Sequence, residues 1–203
     1  MMTKGSVFII SGPSGSGKDT LLKVLFEKHP EIAFSISSIT RGMREGEKEG
    51  EKYNFISREK FEKMIENDEL LEYNLYVNNY YGTPKAPVLE ATEKGLDIII
   101  EVDVNGAANI RKKLPDAISI FIMPPTFSEL ERRLKGRGTE SDEVIAKRMG
   151  EALGEIKRAT EYDYIVVNDD IEVAVDDIHA VIQGHRLRLE NQKHIINEVL
   201  EKC

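Results

Sequence analysis

Four short apolar runs punctuate the chain, at residues 7–10, 98–102, 118–122 and 164–167, and all are rich in β-branched residues. Their apolar character is continuous rather than alternating. That is the pattern of strands in a parallel sheet covered on both faces. Between them the apolar positions fall at helical spacing, over residues 19–28, 87–94 (Val88, Leu89, Ala91), 105–113 and 127–135, where Leu130 and Leu134 stand four apart. Strands alternating with helices predict an α/β fold with a central parallel sheet flanked by helices.

Two stretches break the alternation. From 35 to 84 the chain is polar, tyrosine-rich and punctuated by Gly42, Gly46 and Gly50, with candidate strands near 53–56 and 70–76 and a short helix marked by Phe61, Met64 and Ile65. From 135 to 160, Gly136-Arg137-Gly138-Thr139 is a turn, and Thr139 with Asp142 resembles a capping box. A charged helix follows, with Val144, Ile145, Met149, Leu153 and Ile156 expected on one side. The tail from 171 to 200 is helical by period, and Gly184 is expected to bend or divide it. The division predicted is a single domain: a core of about 1–34, 85–134 and 161–203, an insert of about 35–84 and a lid of about 135–160.

At 203 residues the chain is long enough for a sizeable core. Its formal net charge is −8, so general nucleic-acid binding is not expected, and anion binding requires arginine and lysine gathered locally. Cys203 is the only cysteine, which excludes an internal disulfide and argues against a cysteine zinc site. The run 7–10 is too short for the apolar region of a secretory leader, and no stretch approaches the roughly 20 apolar residues of a membrane span. A cytoplasmic protein without membrane partners is therefore expected.

The strongest local signal is Gly12-Pro13-Ser14-Gly15-Ser16-Gly17-Lys18-Asp19-Thr20, set between the first strand and the first helix. It matches the phosphate-binding loop G-x-x-x-x-G-K-[ST] except at its last letter. The glycines admit positive φ and close approach of a phosphate, the backbone N–H groups form an anion nest, and the helix dipole adds to it. Lys18 is placed to reach the β- and γ-phosphates. Asp19 stands where a hydroxyl usually joins the Mg²⁺ shell, and Thr20 follows immediately, so Thr20 or Asp19 is the expected protein ligand and other contacts are through water. A second candidate anion site is Arg41 and Arg44, three apart just after a strand, with Tyr53 and Tyr81 as phenolic donors.

The order of phosphate loop, Ser37-x-x-x-Arg41-x-x-Arg44, Tyr53-Asn54-Phe55, Glu72, Asn79-Tyr80-Tyr81-Gly82-Thr83, Asp103-x-x-Gly106, Gly136-Arg137-Gly138-Thr139 and Val167-Asn168-Asp169-Asp170 resembles the guanylate kinase family over almost the whole chain. The resemblance implies a P-loop NTPase-like core with an inserted GMP-binding subdomain and a helical lid. It implies transfer of the γ-phosphoryl group of Mg-ATP to GMP, with Mg²⁺ as cofactor and a monomer or homodimer as the assembly. Arg41, Arg44, Tyr53 and Tyr81 match the clamp on the phosphate of GMP, Glu72 the carboxylate that reads guanine, and Ser37 and Thr83 the hydroxyl contacts to the base. Asp103 matches an acidic residue between acceptor and metal, and is also a natural cap for the helix that follows it. Arg137 and Arg148 match lid arginines, Arg133 assists them, and Asn168 lies where the family meets the adenine of ATP. The catalytic set is therefore Lys18, Arg41, Arg137 and Arg148.

Three other readings compete. A kinase with a different acceptor has no use for Glu72, Ser37 and Thr83 together. A non-catalytic phosphopeptide-binding module of this shape usually has a degraded phosphate loop, and here only Asp19 departs. A generic ATPase leaves the Tyr- and Arg-rich insert unexplained.

Overall fold

The computed structural model describes residues 4–136 and 142–201. The elements are β1 (Val7–Ser11), α1 (Lys18–Lys28), β2 (Ala33–Phe34), β3 (Ser37–Ile39), β4 (Tyr53–Phe55), α2 (Arg58–Glu66), β5 (Leu70–Tyr76), β6 (Asn79–Pro84), α3 (Lys85–Glu93), β7 (Ile98–Glu101), α4 (Val104–Lys113), β8 (Ile118–Met123), α5 (Phe127–Lys135), α6 (Asp142–Lys157), β9 (Tyr164–Val167), α7 (Ile171–Arg186) and α8 (Leu189–Leu200). A five-stranded parallel sheet takes the order β2-β7-β1-β8-β9, and a four-stranded mixed sheet the order β4-β3-β6-β5. All four predicted core strands are present. The fifth, β2, pairs with β7 through only two residues, Ala33 with Ile98 and Phe34 with Ile99, too short a run to show in the pattern.

Two compact units emerge, one of residues 10–31 with 119 onward, the other of residues 4–9 with 32–118. The first unit holds α1, β8, β9 and α5 to α8. Leu21, Leu22 and Leu25 of α1, and Ala174, Val175, Ile178 and Ile182 of α7, are its buried stripes at helical spacing. β9 departs from the expected burial on both faces: Val166 is buried, but Tyr164, Ile165 and Val167 are exposed. It pairs with β8 alone, and an edge strand has one neighbour fewer to cover it.

On α6, Ile145 and Ala152 are buried, and Met149 and Ile156 pack against Leu130, Leu134 and Ala152. Val144 and Leu153 do not share that face. Both are exposed, because the buried positions run 145, 149, 152, 156 at three- and four-residue steps. The Thr139–Asp142 capping box and Arg137 lie outside the described side chains. Gly184 does not bend the tail. It sits within α7, which ends at Arg186, and the break falls at Leu187 and Arg188. There Asn191 Nδ2 donates to His185 O at 2.7 Å and Gln192 Nε2 to Arg186 O at 2.8 Å, so side chains take up carbonyls that the helix end leaves open.

The second unit carries the mixed sheet. Strands β5 and β6 form a hairpin turning on Val77 and Asn78, both left-handed at φ 45° and 62°, as a two-residue primed turn requires. The sequence reading marked residues 79–83 as a motif without seeing the strand. α2 is capped by Ser57, whose side chain accepts from Lys60 N. It buries Phe61, whose ring stacks on Tyr80 at 5.0 Å. A Cβ at Gly82 would stand 2.8 Å from that phenylalanine, which is why the strand carries no side chain there.

Candidate functional site

In the first unit the phosphate loop forms as the sequence predicts. Gly12, Gly15 and Gly17 have φ of 150°, 89° and 89°. Space reinforces conformation: a Cβ on Gly12 would lie 2.4 Å from Ile122 O, and one on Gly17 2.5 Å from Asn168 Nδ2. Lys18 Nζ folds over the loop and donates to Gly12 O (2.6 Å) and Pro13 O (3.1 Å), which holds the ammonium beside the N–H nest. Asp19 and Thr20 are both exposed in the first turn of α1, where a carboxylate is favoured by the helix dipole. Their oxygen donors suit a hard cation such as Mg²⁺.

The loop is braced from behind. Asn168 is buried, its Nδ2 donates to Ser16 O at 2.7 Å and its N–H to Met123 O. Arg133 donates to Ser16 O (3.3 Å) and to Asn168 O (3.0 Å). Arg133 is itself held by Glu129, whose carboxyl Arg132 and Arg133 keep down at about 2. Arg133 and Asn168 thus support the loop's shape through Ser16, which spacing alone did not reveal. Arg148 Nη2 on α6 donates to Ser14 Oγ at 2.6 Å, so this arginine reaches the loop.

The second unit gathers the other predicted residues on its mixed sheet. Ser37 lies opposite Tyr53, Ile39 opposite Tyr81, and Thr83 opposite Glu72. Because directly opposed residues share a face and side chains alternate along a strand, Ser37, Tyr53, Tyr81, Thr83 and Glu72 fall on one face. Thr83, fully buried, donates Oγ1–H to Glu72 Oε1 at 2.7 Å. Burial pushes the Glu72 carboxyl up to about 7. The Thr83 hydrogen bond opposes the rise, and the nearby Asp103 charge adds to it. Gly106 makes room: a Cβ there would come within 3.1 Å of Glu72 Oε2. Asp103 caps α4, its Oδ1 accepting from the N–H of Asn105 (2.9 Å) and Gly106 (2.7 Å).

Arg41 follows β3, and its guanidinium lies 5.5 Å from the Tyr53 ring centre and 5.7 Å from that of Phe55. It is held by a residue that the sequence reading missed. Glu47 accepts from Arg41 Nη1 (2.7 Å) and Nη2 (2.6 Å), and from the backbone N–H of Arg44 (2.8 Å). These bonds keep the Glu47 carboxyl at about 2, while Glu47 and then Tyr81 raise Arg41 further. Glu47 was hidden among Glu45, Glu49 and Glu51, four acids at alternate positions with nothing to distinguish one. Arg44 is exposed beside this pair. Gly106, by contrast, was visible as the fourth letter of Asp103-x-x-Gly106, but its reason is steric and appears only with Glu72 beside it.

Known proteins match this chain along its length. The family model described as guanylate kinase matches residues 4–185. A guanylate kinase of Carboxydothermus hydrogenoformans is 47% identical over 187 residues, 92% of each chain. One of Aliivibrio fischeri is 46% identical over 202 residues, 98% of each. Among solved structures, guanylate kinase from Anaplasma phagocytophilum superposes with a TM-score of 0.72 at 32% identity, covering 92% of this chain and 88% of that one.

Proposed function

The chain belongs to the guanylate kinase family and is an ATP-dependent kinase of GMP; we propose that the phosphate loop of the first unit holds the donor, and the face of the mixed sheet bearing Arg41 and Glu72 holds the acceptor. The observation that carries this assignment is the Glu72 carboxylate, held by Thr83 on the same sheet face as Tyr53 and Tyr81. Guanine presents N1–H and the N2 amino group as adjacent donors, and an ionised carboxylate accepts both. Adenine lacks that pair and would leave a buried charge unpaired, which discriminates strongly. Ser37 and Thr83 supply hydroxyls to the base. Arg41, Arg44, Tyr53 and Tyr81 hold the phosphate, with Glu47 pre-orienting the Arg41 fork until the phosphate takes over its hydrogen bonds.

In the reaction a phosphate oxygen of GMP attacks the γ-phosphorus of ATP. The bond from that phosphorus to the β–γ bridging oxygen breaks, and ADP leaves with the electron pair. The attacking oxygen is already ionised near neutral pH, so no strong base is required, and positioning with charge stabilisation supplies the catalysis. Lys18 reaches the β- and γ-phosphates, and Arg41, Arg148 and Arg137 offset charge on the moving group. Arg133 and Asn168 keep the loop and the adenine side of the donor site in shape. Thr20, or Asp19, is the protein group that would hold Mg²⁺ with water as the remaining ligands; bound there, Mg²⁺ would neutralise phosphate charge. The segment around 35–84 acts as the acceptor-binding insert and that around 135–160, which includes α6, as the lid, excluding water that would otherwise hydrolyse ATP.

The assignment is tested by separating the two substrates. Lys18→Ala should weaken ATP binding and nearly abolish turnover, leaving GMP binding by calorimetry intact. Arg41→Lys keeps the charge but loses the fork, and should raise the KM for GMP about tenfold or more with little change in that for ATP. An Arg41→Lys enzyme with an unchanged KM for GMP would remove Arg41 from the acceptor site.

A further inference from the structure

Three side chains with no part in either substrate site converge on the first unit. His29 closes α1, its N–H donating to Leu25 O at 2.8 Å, and Glu31 lies two residues on. His179 projects from the middle of α7. The two imidazoles stack with ring centres 3.7 Å apart and planes 17° apart. Glu31 Oε1 lies 3.5 Å from His29 Nδ1, and one donor atom from each of the three residues falls within 4.8 Å of the others. Gln183, one turn beyond His179, sets its amide nitrogen 3.0 Å from His179 Nε2.

We propose that His29, Glu31 and His179 form a binding site for a divalent cation of the zinc class, with water completing the shell. Two imidazole nitrogens and one carboxylate oxygen make a donor set that suits Zn²⁺ and its first-row neighbours. Mg²⁺ prefers oxygen donors in octahedral array, so the site does not compete for the ion that accompanies ATP. The donor atoms stand somewhat wider than a filled site needs, since bonds of about 2.0–2.1 Å bring ligands to within about 3.5 Å of each other. Closing that gap requires the stacked rings to fan apart and Glu31 to swing in. Glu31 is about half exposed, with side-chain exposure of 49%, and is able to move. Two carboxylates, Glu31 and Asp176, act on His179; Asp176 also lies 3.8 Å from Lys28, which is bound to Glu172 as well. Arg186 is the opposing charge near His179. Bound metal would fasten the end of α1 to α7. Because α1 begins at Lys18, the anchored helix is the one that carries the phosphate loop.

The test is calorimetric titration of the full chain with ZnCl₂ in buffer containing excess Mg²⁺, in a Cys203→Ser background so that the thiol contributes nothing. A single saturable site is expected. It should weaken about tenfold or more in His29→Ala, in His179→Ala and in Glu31→Gln, and be unaffected in His194→Ala. Co²⁺ in place of Zn²⁺ should give a visible d–d spectrum that the same variants abolish. Glu31→Gln changes one exposed side chain, so it reads the site even if a histidine variant folds poorly. No saturable zinc binding, or zinc binding of equal strength in Glu31→Gln and in whichever histidine variants fold, would overturn the proposal.

Discussion

At the scale of single residues the proposed choice of GMP rests on Glu72. Its folded carboxyl ionises near 7, well above an ordinary glutamate, because burial disfavours the charge. The folded state therefore holds a proton more tightly than the unfolded chain between about pH 4.5 and 7, and stability falls as pH rises through that window. Above about pH 7 the cost is fully present, on the order of 3 kcal/mol from a shift of this size. Glu72→Gln should thus stabilise the ligand-free protein by about that amount in urea unfolding at pH 8 and by little at pH 4.5, while lowering kcat/KM for GMP at least about 10³-fold. Equal stability at pH 8 would mean that the buried carboxylate carries no penalty. Asp19 is the other telling residue. A carboxylate within several ångströms of the triphosphate repels it by about 1 kcal/mol. Asp19→Ser should lower the KM for Mg-ATP several-fold or alter the Mg²⁺ requirement; if steady-state kinetics show neither, Asp19 is a bystander.

At the scale of elements, the β5–β6 hairpin offers a clean stability test. Val77 takes φ 45°, which a β-branched side chain resists, and the residue is 75% exposed, so little packing is lost by replacing it. Val77→Asn with Asn78→Gly gives the turn its preferred residues and should raise stability by about 1 kcal/mol in denaturant unfolding without changing KM for GMP. An unchanged midpoint would mean that the turn relaxes freely.

How far such elements could be read depended on how local their causes are. The phosphate loop was legible because strand, glycines and helix lie side by side in the chain. The helices of the core were legible because each buries its own periodic stripe. β6 was not: its residues Tyr80 and Tyr81 resemble neither an alternating nor a continuous run, the turn joining it to β5 is Val77-Asn78 rather than a glycine-bearing pair, and its other partner, β3, is forty residues away. Sequence distance also hid the brace from Arg133 and Asn168 to Ser16. Glu47 was hidden differently: it stands only six residues from Arg41, among acids that nothing in the sequence tells apart.

At the scale of the molecule, a chain of net charge −8 that acts on two anionic nucleotides has to gather cations locally, and the proposed sites do so. Lys18 and Arg148, which reaches the loop from α6, belong to one unit; Arg41 and Arg44, just after β3, belong to the other. Many of the other basic side chains among the described residues are bound to acids, as Lys85 and Lys113 are to Asp68. Among the described residues no helix is long and apolar enough to cross a membrane.

Selection of GMP by this kinase is proposed to run through Glu72. It is tested most directly by measuring ADP release from Mg-ATP with GMP, AMP, CMP, UMP or no acceptor, for the native chain and for Glu72→Gln. Turnover with GMP alone, lost in the variant without loss of ATP binding, is the result predicted. Comparable turnover with AMP, or full GMP turnover in Glu72→Gln, would contradict the account.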